Sequence, residues 1–269
     1  MLSDFRLARP VASSRWACAT ASSMRVAATR FSHRTFGGNE VSINHDLFPL
    51  VVDHVYIWVS KRAPEMQVLR DMGLYPKETI NVHTGQGSAS QVVFFKNMYL
   101  ELVWIEDESE LAAHLAGGGA AAPVRETWKQ TGVSPFGVGL HYRTPDAEPL
   151  PLGTLLHHAM EWMPEDSSIE GIPQPSPFTP SFFILHGTLA YWESRMGEEE
   201  HPVGIEYLTD LQITVTSLEN PDVLTPYLAE RHTIRLKHGA YPLMELTFDH
   251  HRQGKMFDLR PTLPLIITC

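Results

Sequence analysis

His54 and Glu101 are the two residues of this chain whose types and settings point most directly to chemistry. Each sits inside a short β-branched, aliphatic and aromatic run that reads as a strand, VVDHVYIWVS over Val51–Ser60 and YLELVWI over Tyr99–Ile105. Side chains alternate across a strand, so His54 shares a face with Tyr56 and Trp58, and Glu101 with Tyr99 and Val103. The opposite faces, Val55, Ile57 and Val59 on one strand and Leu100, Leu102 and Trp104 on the other, belong against a helix. A carboxylate in an apolar strand is costly unless it is paired or coordinated. Imidazole plus carboxylate makes part of a first shell for a divalent metal such as zinc, manganese or iron. Glu101 is also the candidate catalytic base. The plainer alternative is a Glu held by an Arg or by backbone donors, beside a hydrogen-bonded His.

A second candidate is the loop His83-Thr84-Gly85-Gln86-Gly87. Its glycines allow a backbone to approach a ligand closely, and Thr84, Gln86 and His83 could bind one. It lacks the Lys-Ser/Thr ending of a phosphate-binding P-loop and is otherwise a strand-connecting turn. With Tyr56, Trp58 and Tyr99 it makes up the expected substrate-binding set. The adjacent pairs His250-His251 and His157-His158 read as surface residues. There is no Gly-x-Ser-x-Gly elbow, and Cys18 and Cys269 lie near opposite ends, which excludes a disulfide framework and a thiolate zinc site.

The elements that must position these residues follow the order β-α-β-β-β. A helix over 63–73, with Pro64 in its first turn and Gly73 as its stop, follows the first strand. Strands near 79–82, 91–95 and 99–105 complete the set. The same order returns over 207–216, 220–230, 232–237, 243–248 and 255–259, with Asn220 as a helix cap. Superposing the halves sets Asp210 opposite His54 and Asp258 opposite Glu101, as a duplication would. The resulting His, Glu, Asp, Asp set is oxygen-rich and leans toward manganese, magnesium or iron. Modules at about 50–106 and 205–267 are therefore expected, with an irregular insert over 107–204 that contains short strands near 137–142 and 182–185.

The 269 residues carry 21 Lys+Arg and 31 Asp+Glu, a net charge of -10 that argues against general nucleic-acid binding. No apolar run reaches the roughly 20 residues of a membrane span. Residues 1–39 hold six Arg and a single acid, Asp4, in a Ser- and Ala-rich setting. That is the composition of a mitochondrial transit peptide. A disordered tail, or a start wrongly placed upstream of a true start at Met24, is the competing expectation, with a cytoplasmic protein in either case. Residues 1–45 are set apart from the folded domain, 46–269.

DHVYIWVS at Asp53–Ser60, HTGQGSAS at His83–Ser90, NMYLELV at Asn97–Val103 and FDLRPTLPL at Phe257–Leu265 together resemble the glyoxalase-like domain family. That family belongs to the vicinal oxygen chelate superfamily. The resemblance runs from about residue 50 to 267. It implies an α+β fold in which paired βαβββ modules form a curled mixed sheet around a cleft. It also implies a divalent metal cation that chelates two adjacent oxygens of a small substrate, as in lyases, isomerases and dioxygenases of the superfamily. His54 and Glu101 match first-half ligand slots; Asp210 and Asp258 reach the second-half slots only through the register above. A metal-free module that sequesters a small molecule is the alternative. A homodimer is compatible with either.

Overall fold

The computed structural model describes residues 49–116, 123–144, 146–152, 156–158, 163, 165–187, 200–231 and 234–269. The Arg-rich leader lies outside them. The fold is α+β: a strongly curled mixed sheet, a second sheet and few short helices.

The first sheet begins as expected. Its elements are β1 (Leu50–Trp58), α1 (Met66–Asp71), β2 (Asn81–His83), β3 (Ser88–Phe94) and β4 (Tyr99–Ile105). The helix stops at Gly73, whose φ of 92° is the left-handed conformation that glycine adopts without strain. β4 returns parallel to β1, so the spatial order is β2-β3-β4-β1. Parallel pairing of β1 with β4 places Tyr56 beside Glu101 and His54 beside Tyr99.

Three short helices follow: α2 (Glu108–Ala116), α3 (Pro123–Glu126) and α4 (Trp128–Thr131). The same sheet then continues with β5 (Phe136–Tyr142), β6 (Leu156–His158), β7 (Ser168–Gly171) and β8 (Ser181–His186). β5 pairs antiparallel with β1, β8 runs parallel to β5, and β7 and β6 extend the edge. The full order β2-β3-β4-β1-β5-β8-β7-β6 repeats one pairing pattern on either side of the β1–β5 seam. The second half of this sheet thus comes from residues 136–186. That corrects the expectation of a module at 205–267 and an irregular insert over 107–204. The Pro-rich composition of 145–180 hid two short strands, β6 and β7, which pair locally with each other and with β8.

The C-terminal elements do form, but as their own sheet. They are β9 (Leu208–Val215), α5 (Thr225–Arg231), β10 (Arg235–His238), β11 (Leu243–Phe248), a 3₁₀ turn over Asp249–His251, β12 (Met256–Asp258) and β13 (Leu265–Thr268). Their order, β10-β9-β11-β13-β12, differs from that of the first sheet, and β9 pairs parallel with the strand that follows its helix. Similar element order therefore did not mean similar pairing. Asp222, not Asn220, caps α5: Oδ1 accepts from the Leu224 and Thr225 amides at 2.9 and 3.0 Å.

The aliphatic faces of both sheets meet in one core. Val55, Ile57, Leu100, Leu102, Phe136, Val138 and Ile184 belong to it together with Leu211, Ile213, Met244, Leu246 and Ile267. Phe95 meets Phe248 with ring centroids 4.5 Å apart, and Asn97 exchanges two hydrogen bonds of 2.9 Å with Leu208. Met66 and Leu69 of α1 cover part of the first sheet, but the second sheet joins them. Each fully buried Val, Leu or Ile contributes about 1.5–3 kcal/mol. This packing holds the polar face of the first sheet turned away from the core.

Candidate functional site

β1 carries one irregularity, and it matters for the site. Val52 pairs with Leu140, while His54 pairs with Gly139, so Asp53 is an extra residue. Such a bulge shifts the alternation by one residue and re-aims a side chain. Asp53 and His54, neighbours in sequence, consequently both serve the polar face. Asp53 is 0 % exposed. Its Oδ1 lies 2.6 Å from His54 Nδ1, and its Oδ2 lies 3.2 Å from His141 Nδ1. Burial pushes the Asp53 carboxyl up, but the hydrogen bonds and charges of His141 and His54 outweigh it and hold the group below its ordinary value. It is therefore a buried carboxylate that accepts from two imidazoles.

With Nδ1 turned to Asp53, Nε2 is the ring nitrogen of His54 left for another partner. Nε2 faces Glu101 Oε2 at 3.9 Å. On the other Glu101 oxygen, His83 Nε2 stands 3.6 Å from Oε1. His83 Nδ1 meets Ser88 Oγ at 2.9 Å, and Ser90 Oγ is 3.5 Å from Nε2. Burial lowers the pKa of His83, a shift that the Glu101 charge opposes and the His54 charge reinforces, so the ring stays neutral near pH 7. The His54 ring stacks on Tyr99 with centroids 4.3 Å apart and packs against Phe183 at 5.3 Å. These contacts fix its plane.

The site is one-sided. Gly139 faces His54 from β5, and a Cβ there would meet the imidazole at 2.5 Å; one at Gly137 would meet the Tyr56 ring at 2.0 Å. The glycines let the large side chains of β1 lie flat across β5. Beside Gly139 stands Phe183 of β8. The second half thus supplies room and an aromatic wall, and no ligand atoms at those positions.

Asp210 and Asp258 do not join the site. Asp210 is bound in a two-bonded clasp by Arg235, and Asp258 likewise by Arg260, both within the C-terminal sheet. Arg260 holds Asp258 down to about 2. Each aspartate has its charge paired by a guanidinium in the five-stranded sheet, away from His54 and Glu101 in the other sheet, which corrects the expectation that these two complete a metal shell.

The glycine loop also differs from expectation. It is a hairpin tip between β2 and β3, and Glu110 of α2 already occupies its Gly85 and Gly87 amides at 2.6 and 3.1 Å. A Cβ at Gly87 would meet the Leu111 backbone at 2.3 Å. The loop serves helix docking, and Gln86 stays half-buried at its tip. Of the expected substrate set, Tyr99 stacks on His54 and packs at a tilt against Phe94, and Trp58 is buried. Tyr56 is partly buried; burial raises its pKa, keeping the phenol neutral, and its hydroxyl bonds to Ser181. Ser181 donates to Gln174 Oε1 at 3.1 Å, which also accepts from Arg125. Arg125, 5 % exposed, further donates to the Ser134 and Thr179 carbonyls. Among the described residues no carboxylate pairs with it.

Asp53, His141 and Arg125 escaped sequence reasoning. Strict alternation assigned Asp53 to the core face, and only the bulge overrides it. The Asp-His dipeptide was the one available signal. His141 and Arg125 lie where local pattern says nothing of their neighbours.

The donor set fits a divalent metal in chemistry: two imidazole nitrogens and a carboxylate, with a buried aspartate behind one imidazole, the usual outer support of a metal-binding histidine. A tetrahedral ion at about 2.1 Å from each ligand sets ligand atoms about 3.4 Å apart, whereas the 3.9 and 3.6 Å separations here run to different oxygens of Glu101. Among the described residues no group of three such side chains already stands at coordinating distances.

No protein-family model matches the chain, and no curated protein matches it. Among solved structures it is similar to a hypothetical protein from Staphylococcus aureus, at 11% identity and a TM-score of 0.50, covering 81% of this chain and 97% of that one. The likeness concerns the fold. No helix among the described residues is long and apolar enough to cross a membrane.

Proposed function

We propose that the protein is a metal-dependent enzyme of the vicinal oxygen chelate type, acting on a small oxygenated molecule. The observation that carries this reading is the facing of His54 Nε2 and Glu101 Oε2 across 3.9 Å. The gap is too long for a hydrogen bond, and Asp53 fixes the tautomer that leaves both atoms as lone-pair donors. His54, Glu101 and His83 would hold the cation, which when bound would act as a Lewis acid on two substrate oxygens. Asp53 orients His54 through Nδ1. Glu101 can take a proton at a carboxylate oxygen, and neutral Tyr56 can donate one at its hydroxyl. Tyr99 and Phe183 keep water from the His54 ring. The four sequence motifs that resemble the glyoxalase-like family support the same reading.

Elemental analysis of protein purified without chelator tests it. The expectation is one divalent ion per chain in the parent and a clear loss in Glu101→Ala and His54→Ala. The second reading, a metal-free sequestering module, is favoured by the aromatic shell of Tyr99, Phe94 and Phe183. It predicts no metal in any sample and thermal stabilisation by an aromatic ligand. On the leader's composition we assign a mitochondrial location, tested by fusing residues 1–45 to a fluorescent protein.

A further inference from the structure

His201 is a buried histidine outside the site, on the segment 200–206 that leads into β9. Its ring holds two elements of the first half. Nε2 donates to the Phe94 carbonyl of β3 at 2.7 Å, and Nδ1 accepts from the Tyr75 amide of the α1–β2 connection at 3.1 Å. The partners fix the tautomer, because a carbonyl only accepts and an amide N–H only donates. Phe95 meets the ring edge-on, with centroids 5.1 Å apart. The segment is fastened unevenly. Toward β9, the Glu206 carbonyl accepts from the Lys96 amide at 2.9 Å, the Asp249 carboxylate accepts from the Glu206 and Tyr207 amides at 3.0 Å each, and Gln253 Nε2 donates to the Gly204 carbonyl at 2.8 Å. Toward residue 200, the only other bond to the first half among the described residues runs from the Val203 amide to the Gly73 carbonyl, at 3.3 Å.

A second proton on the ring sets an N–H against the Tyr75 N–H and buries a charge. The charged and titratable groups on the elements around it are Glu200 and Glu206 on its own segment, Tyr75, Lys77 and Glu78 before β2, Lys96 after β3, and Asp249 beyond β11. None of them enters its shift: burial lowers the pKa and the Phe94 bond partly restores it. The released ring takes up its proton near 6.5, and the latched ring only below that. The opening equilibrium therefore grows by up to about tenfold per pH unit as the pH falls from 6.5 to the lower value. At higher pH the latch is closed to its full extent.

We propose that residues 200–206 form an acid-released strap, with His201 as its latch. Release frees the Phe94 end of β3, whose ring packs against Tyr99 with centroids 5.4 Å apart, and Tyr99 stacks on His54. Acid thereby loosens the aromatic wall beside His54. Only this bearing on the site rests on the function proposed above.

Hydrogen–deuterium exchange of the full chain, read by mass spectrometry at pH 7.5 and 5.5 and corrected for intrinsic rates, tests it. In the parent, protection over 73–76 and 200–205 should fall about tenfold at pH 5.5, and that over 92–98 by a smaller factor, while β9 and β11 keep theirs. His201→Gln keeps a side-chain donor and acceptor and takes up no proton in this range, so its protection over these peptides should not change with pH. Should the variant not fold, ring-nitrogen NMR of the parent carries the test: loss of protection should track the appearance of a doubly protonated His201 ring. Unchanged protection in the parent, a fall of equal size across both sheets, an equal fall in His201→Gln, or a loss of protection with no change at the ring would each overturn the proposal. A parent that holds no metal would sink the metal site and leave these exchange results as they stand.

Discussion

Asp53 and Glu101 of the eight-stranded sheet are 0 % and 8 % exposed and meet histidines, whereas Asp210 and Asp258 of the five-stranded sheet are each clasped by an arginine near solvent. All four are strand acids, yet their roles diverge. A guanidinium satisfies a carboxylate outright with two charge-assisted bonds. A neutral imidazole satisfies one carboxylate with one nitrogen and keeps a lone pair for something else. The buried sheet therefore retains unused coordinating capacity, and the outer sheet does not. The glycines differ in the same sense. Gly139 is required by a neighbouring imidazole, while Gly254 of the second sheet is open on all sides and is a turn residue with φ of 65°.

The strongest way to break this contrast is Asp53→Asn. It removes a buried charge that two imidazoles depend on, and should cost about 2–4 kcal/mol in urea unfolding. Metal affinity should fall about 10–100-fold, because His54 loses its orienting partner. If the variant unfolds and binds metal like the parent, the buried acid has no special role. Gly139→Ala comes next. The new Cβ must displace the His54 ring, at a cost of about 1–3 kcal/mol together with loss of metal. Gly254→Ala should cost only about 1 kcal/mol, from its backbone conformation, and leave metal binding intact.

His201 sharpens the comparison at the junction of the two regions. Its Nε2 donates to the Phe94 carbonyl at 2.7 Å and its Nδ1 accepts from the Tyr75 amide at 3.1 Å, a pairing that only the neutral ring can make. Burial lowers its pKa, partly opposed by the Phe94 bond. The unfolded chain therefore takes up the proton first. Stability that is full above about pH 6.5 is lost as the pH falls through the folded value. His201→Ala should cost about 1–3 kcal/mol at pH 7.5, from two buried groups left unpaired, and flatten the decline in the urea midpoint between pH 7.5 and 5.5.

The smallest effects belong to the outer acids. Asp258 is depressed by Arg260 to about 2, so its contribution is present above the unfolded value of about 3.9 and fades as the pH falls toward 2. Because the pair is exposed, Asp258→Asn and Asp210→Asn should move the urea midpoint at pH 7 within experimental scatter and leave metal content unchanged. A loss of metal in either variant would return these acids to the site.

Much of the first half was legible. Strand alternation put His54 and Glu101 on one face, and the parallel return of β4 brings them to 3.9 Å. The glycine stop of α1 was readable because one left-handed residue suffices. Helix cover was only partly right, since nothing in Val55 or Leu100 says whether a helix or a sheet will bury them. The second half was misassigned because β-α-β-β-β order is local, whereas strand pairing is not. Residues 136–186 complete the curled sheet only because β5 finds β1, about 80 positions away.

By itself, then, the sequence determined an α+β chain with one face of β1 and β4 reserved for a histidine, a glutamate and aromatics. Those features follow from period-two alternation and side-chain chemistry, which act within a few residues. The tertiary structure decided that Asp53 turns to that face, that His83 and His141 join it, and that Asp210 and Asp258 do not. Each of those outcomes depends on a bulge or a pairing register between distant strands, where a shift of one residue reverses which side chains meet.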